Sequence, residues 1–165
     1  MKLAMHLTLL AILLVAVTSA YAQQVADTQF APPIERPEYD NGQGPVVRVD
    51  AAHLNFHTAD GRYAPFAALL RRDGYRVESG AEPFTAGSLA GVDILVISNA
   101  MHRESEADWA PLPNHSAFTD EEIRQVETWV RGGGSLLLIA DHMPLAGHAE
   151  ALAAAFGVRF YNGFA

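Results

Sequence analysis

Strand and helix signals alternate along most of this chain, and that alternation restricts its fold more than any other feature. Two predicted strands, Val92–Ser98 and Ser135–Ala140, are almost entirely apolar, which is typical of strands buried on both faces of a parallel sheet. Parallel neighbours need crossover connections, which helices usually supply. The pattern therefore predicts an α/β fold, a three-layer sandwich with a mainly parallel sheet.

The remaining signals complete that sheet. Further strands are predicted at Pro45–Asp50, Tyr75–Val77 and Val158–Phe160, and helices at Pro65–Asp73, after the Thr119–Glu122 capping box, and at His148–Phe156. Right-handed crossovers between five such strands give an open sheet of the flavodoxin type, with the first, third and fourth strands side by side.

The first 22 residues have the pattern of a cleavable signal peptide. Lys2 precedes an apolar run from Leu7 to Val17, and the small residues Ala20 and Ala22 follow at the expected cleavage site. The rival interpretation is an uncleaved anchor, but this run falls short of the roughly 20 residues that a spanning helix needs. We therefore predict export to the periplasm or the medium, with no stable membrane anchor after cleavage.

The exported part divides into two regions. Residues 23–44 contain prolines and glycines with little apolar periodicity, which predicts an extended arm. Residues 45–165 carry the alternating strand and helix signals and are predicted to form one α/β domain.

Composition excludes several classes of function. The chain has no cysteine, which rules out disulfides, thiolate ligands and a cysteine nucleophile. Lys2 is its only lysine, so the mature chain offers no amine for a Schiff base. The 19 acidic residues face 10 arginines once Lys2 is removed, and a net charge of −9 repels nucleic acid. We expect no nucleic-acid partner.

The candidate site lies where the predicted strands end. Asp50 and His53 follow the first strand, and Asp141 and His142 follow the fourth. Ligands of open parallel sheets bind outside the carboxyl ends of the strands, because the loops diverge there. Other polar residues expected at this edge, or in the loop above it, are Asn55, His57, Asn99, His102, His115 and His148.

Carboxylate and neutral imidazole together favour two kinds of chemistry. They are ligands for a divalent metal such as zinc, manganese or iron, and they serve as general acid and base near neutral pH. Asp50, His53, Asp141 and His142 are accordingly the candidate catalytic residues and the candidate metal ligands. The alternative is structural: an aspartate at a strand end often only caps a turn, and a single histidine there is commonly a hydrogen-bonded surface residue.

Several segments together resemble a known group of proteins. They are the Asp50–His57 stretch, Gly61-Arg62-Tyr63, the Leu70–Val77 run and the Gly133–Pro144 stretch with its Ala-Asp-His-x-Pro sequence. From about Pro45 onward the chain resembles an uncharacterised family of exported bacterial proteins within the class I glutamine amidotransferase-like superfamily.

The resemblance implies the same three-layer fold and no established activity. In true amidotransferases the nucleophilic cysteine sits on a turn between a strand and a helix, where this chain has Asp141 and His142. Thiol-dependent glutamine hydrolysis is therefore excluded. Members of this fold usually continue with further strands and helices, so the resemblance also suggests a C-terminal truncation.

Two functions follow as hypotheses from the residues at the strand ends. The first is a hydrolase or small-molecule binder that uses the aspartate and histidine side chains, with or without a divalent metal. The second is a non-catalytic interaction module of a cell-envelope assembly, in which the same residues only fix loops.

Overall fold

The computed structural model describes residues 25–106 and 112–164. The predicted signal peptide lies outside these residues. The strands are β1 (Val46–Asp50), β2 (Arg76–Gly80), β3 (Ile94–Ser98) and β4 (Ser135–Ile139). The helices are α1 (Ala64–Arg72), α2 (Asp120–Arg131) and α3 (Leu145–Ala155), with a short 3-10 helix at Arg103–Glu106.

The four strands form one parallel sheet in the order β2-β1-β3-β4. The predicted α/β fold with a parallel sheet is confirmed, and so is the placement of the first, third and fourth strands side by side. Chain order reverses between β1 and β3, because β2 lies on one side of β1 and the later strands lie on the other.

The side chains of β3 point alternately to the two faces of the sheet, and both faces are apolar. Val96 packs with Val47 and Val49 of β1 against α1. Leu95 and Ile97 point to the opposite face and pack beneath α2 and α3, together with Phe84, Leu89, Val126 and Leu152. A buried, apolar β3 thus lies between two layers of helix, as its sequence predicts.

The predicted capping box opens α2. The Thr119 side chain accepts a hydrogen bond from the Glu122 backbone N–H, and the Glu122 carboxylate accepts one from the Thr119 backbone N–H. At the other end a run of glycines leads into β4. A Cβ on Gly134 would lie 2.3 Å from the Trp129 ring, so only glycine fits beneath that side chain.

Part of the predicted arm is docked on the domain. The Tyr39 and Glu38 backbone N–H groups donate to the Asp73 backbone oxygen and carboxylate, at 3.2 and 2.9 Å. The Tyr39 ring meets Tyr75 edge to face, with centroids 5.1 Å apart. Gly74 has φ +94°, and a Cβ there would lie 2.2 Å from the Tyr39 carbonyl oxygen. The end of the arm therefore packs closely on the turn between α1 and β2.

One predicted element is wrong. Residues 158–160 form no strand, because the chain after α3 is tied to the start of that helix instead of to β4. The Gly163 carbonyl accepts from the Met143 N–H at 3.1 Å, and the Asn162 side chain accepts from the Gly147 N–H at 3.1 Å. β4 is therefore an edge strand of the sheet, and its Leu137 keeps 44% of its surface exposed.

Within residues 25–106 and 112–164, no helix combines the length and the apolar character that a membrane span needs.

Candidate functional site

The polar residues predicted to gather at the carboxyl ends of the strands share one edge. Asp50 ends β1, Ser98 ends β3, and Asp141 follows β4 by two residues. Register pairs Ser98 with Ile139 across β3 and β4, which brings the loops after these strands together. The four predicted site residues form two separate groups at this edge, one buried and one partly exposed.

The buried group, here the buried triad, consists of Asp50, His53 and Glu122. His53 Nδ1 lies 2.9 and 3.0 Å from the two carboxylate oxygens of Asp50, and His53 Nε2 lies 2.8 Å from Glu122 Oε1. Asp50 is fully buried, and His53 and Glu122 each keep 7% of their surface. The triad therefore connects the end of β1 to the first turn of α2.

The two carboxylates favour a charged imidazole at the centre of this triad. Burial lowers the pKa of His53, but hydrogen bonds and Coulombic attraction from Asp50 and Glu122 outweigh burial, so the net pKa is raised. Burial raises the pKa of Glu122. Hydrogen bonds from Thr119 and His53 lower it by more than burial raises it, so the net pKa of Glu122 is depressed. The two carboxylates therefore favour the imidazolium form of His53.

Further packing contacts and hydrogen bonds surround the buried triad. The His53 ring packs against Phe84 and Phe118, with centroid distances of 4.6 and 4.8 Å. The Phe84 backbone N–H donates to Glu122 Oε1 at 3.2 Å, and the Asn55 side chain donates to Asp50 at 2.8 Å. Because both nitrogens of His53 already contact carboxylates, the metal or catalytic role predicted for Asp50 and His53 would require this triad to open.

The partly exposed group, here the edge cluster, consists of His57, Tyr63, Ser98, Asn99 and Asp141. Asn99 organises it from the first position after β3. Its Nδ2 donates to Asp141 Oδ2 at 3.2 Å, and its Oδ1 accepts from the Asp141 backbone N–H at 3.2 Å. Asn99 has φ 49°, a left-handed conformation that asparagine tolerates better than most residues.

The same asparagine sets the hydrogen bonding of His57. Since Asn99 Oδ1 accepts from a backbone N–H, the atom 3.3 Å from His57 Nδ1 is the amide nitrogen, a donor. Burial, and then the Arg62 charge, lower the pKa of His57 despite the opposite effect of Asp141. A neutral ring that accepts at Nδ1 carries its proton on Nε2. His57 therefore presents an N–H donor.

Ser98 and Tyr63 also contact the His57 ring. Ser98 Oγ lies 3.4 Å from His57 Nδ1 and 3.1 Å from the Tyr63 hydroxyl oxygen. The Tyr63 and His57 rings pack with centroids 4.7 Å apart. These contacts fix the ring plane of His57 next to the Asp141 carboxylate, whose side chain keeps 48% of its surface exposed.

His142, the remaining predicted site residue, flanks the edge cluster. Its backbone N–H donates to Asp141 Oδ1 at 2.8 Å, and its Nε2 lies 3.8 Å from the same oxygen. Its Nδ1 lies 2.6 Å from the Met143 carbonyl oxygen, and its ring stacks on Phe164 with centroids 5.0 Å apart. The structure thus places Asp141 and His142 in direct contact.

Asn55 joins the two groups. Its Nδ2 contacts Asp50 Oδ2 at 2.8 Å and the Ser98 carbonyl oxygen at 3.4 Å. The Phe56 N–H donates to the Asn99 carbonyl oxygen at 3.1 Å. The loop after β1 is therefore fixed to the end of β3, between the buried triad and the edge cluster.

The other histidines lie under or within the long connection between β3 and α2. His148 is fully buried in α3, with Nε2 2.8 Å from Ser105 Oγ and Nδ1 2.6 Å from the His115 carbonyl oxygen. Burial lowers its pKa, so it is neutral at pH 7. His102 and His115 lie closer to solvent, with rings 5.5 Å apart and Glu104 beside both. His148 thus fastens this connection to α3.

Two contributors were missed in the sequence. The sequence around Glu122 indicates only a capping box, although one carboxylate oxygen of Glu122 contacts His53 while the other accepts from Thr119. Arg62 lies in the Gly61-Arg62-Tyr63 stretch, which by itself indicates no role for the guanidinium. Its guanidinium lies over the Phe56 ring at 3.6 Å, and its charge acts on His57. The one available signal is that Arg62 is the only arginine or lysine in the loop between β1 and α1.

The four predicted metal ligands lie in two separate groups, Asp50 with His53 and Asp141 with His142. In the part of the chain that the structure describes, no three histidine or carboxylate side chains are grouped so that they could hold a metal ion. The divalent metal stays a prediction.

Comparison of the chain with protein-family models, curated proteins and solved structures finds no match. The structure itself defines the class: an α/β protein with a parallel sheet and a polar cluster at the carboxyl ends of its strands.

Proposed function

We propose that this chain is an exported domain of the flavodoxin-like, class I glutamine amidotransferase-like kind, which binds a small polar molecule at the edge cluster. The position of the edge cluster in the sheet supports this proposal. Ligands of open parallel sheets bind where chain order reverses. Here that point lies between β1 and β3, and the loops after these strands contribute His57 and Asn99.

The observation that carries the proposal is the arrangement of Asn99. One amide holds both a carboxylate and a neutral imidazole, through contacts of 3.2 Å to Asp141 and 3.3 Å to His57. It does so from a left-handed backbone conformation that costs free energy for any residue with a side chain. A donor at His57 Nε2 and a half-exposed acceptor at Asp141 are thus fixed before any ligand arrives.

The hydrogen bonding of His57 favours binding over hydrolysis. A general base must offer a lone pair to water. The lone pair of His57 is at Nδ1, where Asn99 already donates to it, and the other ring nitrogen, Nε2, carries a proton. In this tautomer His57 orients a ligand as a donor and does not activate water.

Saturation-transfer NMR with a panel of small sugars, amino acids and hydroxy acids tests the proposal. We expect signal transfer to at least one compound in the wild type and its loss in Asp141→Asn, because an amide cannot replace a carboxylate as an acceptor of two donors. Glu150→Gln removes an exposed carboxylate elsewhere, on α3, and is the matched control.

The same experiment separates this function from the non-catalytic interaction module. If the edge residues only fix loops, Asp141→Asn changes stability slightly and leaves every compound's signal as in the wild type. That result would contradict the proposed binding function.

A further inference from the structure

One side chain of α3 joins the two described segments of the connection between β3 and α2, residues 101–106 and residues 112–118. His148 Nε2 lies 2.8 Å from Ser105 Oγ in the first segment. His148 Nδ1 lies 2.6 Å from the His115 carbonyl oxygen in the second, and the Ala117 N–H donates to the His148 carbonyl oxygen at 3.0 Å. The imidazole therefore holds both segments on one helix.

The same two segments line a cavity of about 300 Å³. Three residues of each segment contribute to its wall: Met101, His102, Arg103, Ser116, Ala117 and Phe118. The buried triad borders this cavity through His53 and Glu122. Separation of the two segments would therefore open the cavity next to the buried triad.

The contacts of His148 require a neutral ring with its proton on Nδ1. A carbonyl oxygen can only accept, so Nδ1 donates to the His115 carbonyl, and Nε2 accepts from the Ser105 hydroxyl. A second proton, on Nε2, would remove the acceptor of that hydroxyl. It would also place a full charge on a side chain with no exposed surface, which is costly without a charged partner.

The groups around His148 favour the neutral ring. Burial lowers the pKa of His148, and positive charge on His102 and His115 lowers it further. The hydrogen bond to the His115 carbonyl and the Glu104 charge act in the opposite sense and do not reverse the shift. On the side of α2, the contact with α3 lies in an apolar core that contains Val126.

We propose that His148 is a pH-sensitive clasp, whose protonation in mildly acidic solution releases Ser105 and the His115 carbonyl, separates the two segments and opens the cavity beside the buried triad. This inference is independent of ligand binding at the edge cluster. The second segment is also tied to the chain after α3 through Asn114 and Asn162, but both amides are neutral and do not respond to pH.

The direction of the pH effect follows from the lowered pKa of His148. Above the ordinary histidine pKa of 6.5 the ring is neutral in both the closed and the open form, so the clasp is closed. As pH falls below that value the open form binds a proton that the closed form does not. Closure then weakens by up to about tenfold for each pH unit, until the lowered pKa of the closed form is reached.

Amide hydrogen exchange followed by NMR in the labelled full chain tests the clasp. The reporters are the Ser105 and Ala117 amides, which donate to the His102 and His148 carbonyl oxygens, and the Ala67 amide of α1 is the internal reference. After correction for the intrinsic pH dependence of exchange, we expect the protection of both reporters to fall roughly tenfold or more between about pH 7.5 and about pH 5. The protection of Ala67 should fall much less.

His148→Asn and His148→Gln remove the titrating ring. The asparagine amide can still donate to the His115 carbonyl from near the position of Nδ1, and the glutamine amide can reach Ser105 instead. We expect the protection of the reporters in either variant to stay constant within about twofold over the same range. His115→Gln is the matched control, because it removes a half-exposed ring but keeps the backbone carbonyl that His148 contacts. It should respond to acid as the wild type does.

Titration of the His148 ring in the wild type, followed by ¹H–¹³C NMR, makes the test independent of how well the variants fold. We expect its midpoint to coincide with the loss of protection at Ser105 and Ala117. Three results would overturn the inference. They are unchanged protection of the wild type in acid, an acid-induced loss that persists in folded His148→Asn or His148→Gln, and a His148 midpoint that differs from that of the exchange.

Discussion

Asn99 holds Asp141 through two hydrogen bonds, one from its amide nitrogen to the Asp141 carboxylate and one to its amide oxygen from the Asp141 backbone N–H, both 3.2 Å long. The pair joins the end of β3 to the segment after β4 and fixes the carboxylate at the edge of the sheet. Because the same amide also contacts His57, the position of the whole edge cluster depends on this one side chain.

Substitutions of Asn99 can separate the contributions that its backbone conformation and its side chain make to the stability of the fold. Asn99→Gly removes the hydrogen bonds but relieves the left-handed backbone at φ 49°. Asn99→Ala removes the same bonds and keeps the unfavourable conformation, so we expect it to be less stable than Asn99→Gly by about 1 kcal/mol. Urea denaturation measures the difference, and equal midpoints would contradict a left-handed Asn99.

The buried triad predicts a particular dependence of stability on pH. The raised pKa of His53 means that its ion pairs contribute fully below the ordinary histidine pKa and that this contribution is lost as pH rises through the raised value. The depressed pKa of Glu122 gives a contribution that is present above the ordinary glutamate pKa and is lost as pH falls through the depressed value. The triad therefore stabilises most between these limits.

His53→Gln tests that dependence, because it removes the titrating ring and leaves both carboxylates in place. We expect a loss of about 3–5 kcal/mol near pH 5.5, since a buried charge loses its partner, and a smaller loss at alkaline pH. Urea unfolding of the wild type and the variant across this range gives the comparison. A pH-independent difference would show that His53 is uncharged in the folded protein.

The contact between Gly134 and Trp129 gives a prediction about packing. A methyl group at Gly134 would lie 2.3–2.5 Å from three ring atoms of Trp129, so the indole must move. We expect Gly134→Ala to cost about 1–3 kcal/mol, as overpacking usually does. Gly87→Ala is the control, because its nearest contact would be an ordinary 3.7 Å to Thr85 Oγ1. Equal thermal midpoints for the two variants would contradict the packing of Trp129.

Export gives a prediction that is independent of the site. The short apolar run and the small residues before Gln23 predict cleavage after Ala22. N-terminal sequencing of the protein recovered from the periplasm or the medium is expected to begin at Gln23. A membrane-bound product that retains Met1 would contradict it.

The parallel sheet and the capping box could be predicted because each depends on a local sequence pattern. The apolar sequences of β3 and β4 are typical of a parallel sheet, and Thr119 and Glu122 have the spacing of a capping box, in which each side chain bonds to a free amide at the start of the helix. The shared edge of Asp50 and Asp141 follows from strand direction alone.

The grouping of side chains at that edge could not be predicted in the same way. His53 is bound by Glu122, which lies 69 residues further along the chain, and nothing in a capping box indicates a second partner. The strand predicted at 158–160 fails for a similar reason, because hydrogen bonds from the start of α3 hold the following residues away from β4. Both outcomes depend on contacts between distant segments.

Long-range ¹H–¹⁵N NMR of the His57 ring tests the central claim, that the edge cluster binds a small polar ligand, most directly. At pH 7 we expect a neutral ring protonated on Nε2, and a shift of that nitrogen when a compound found by the saturation-transfer screen is added. Folded Asp141→Asn should show no such shift. A charged or Nδ1-protonated ring, or equal shifts in the wild type and in Asp141→Asn, would contradict the account.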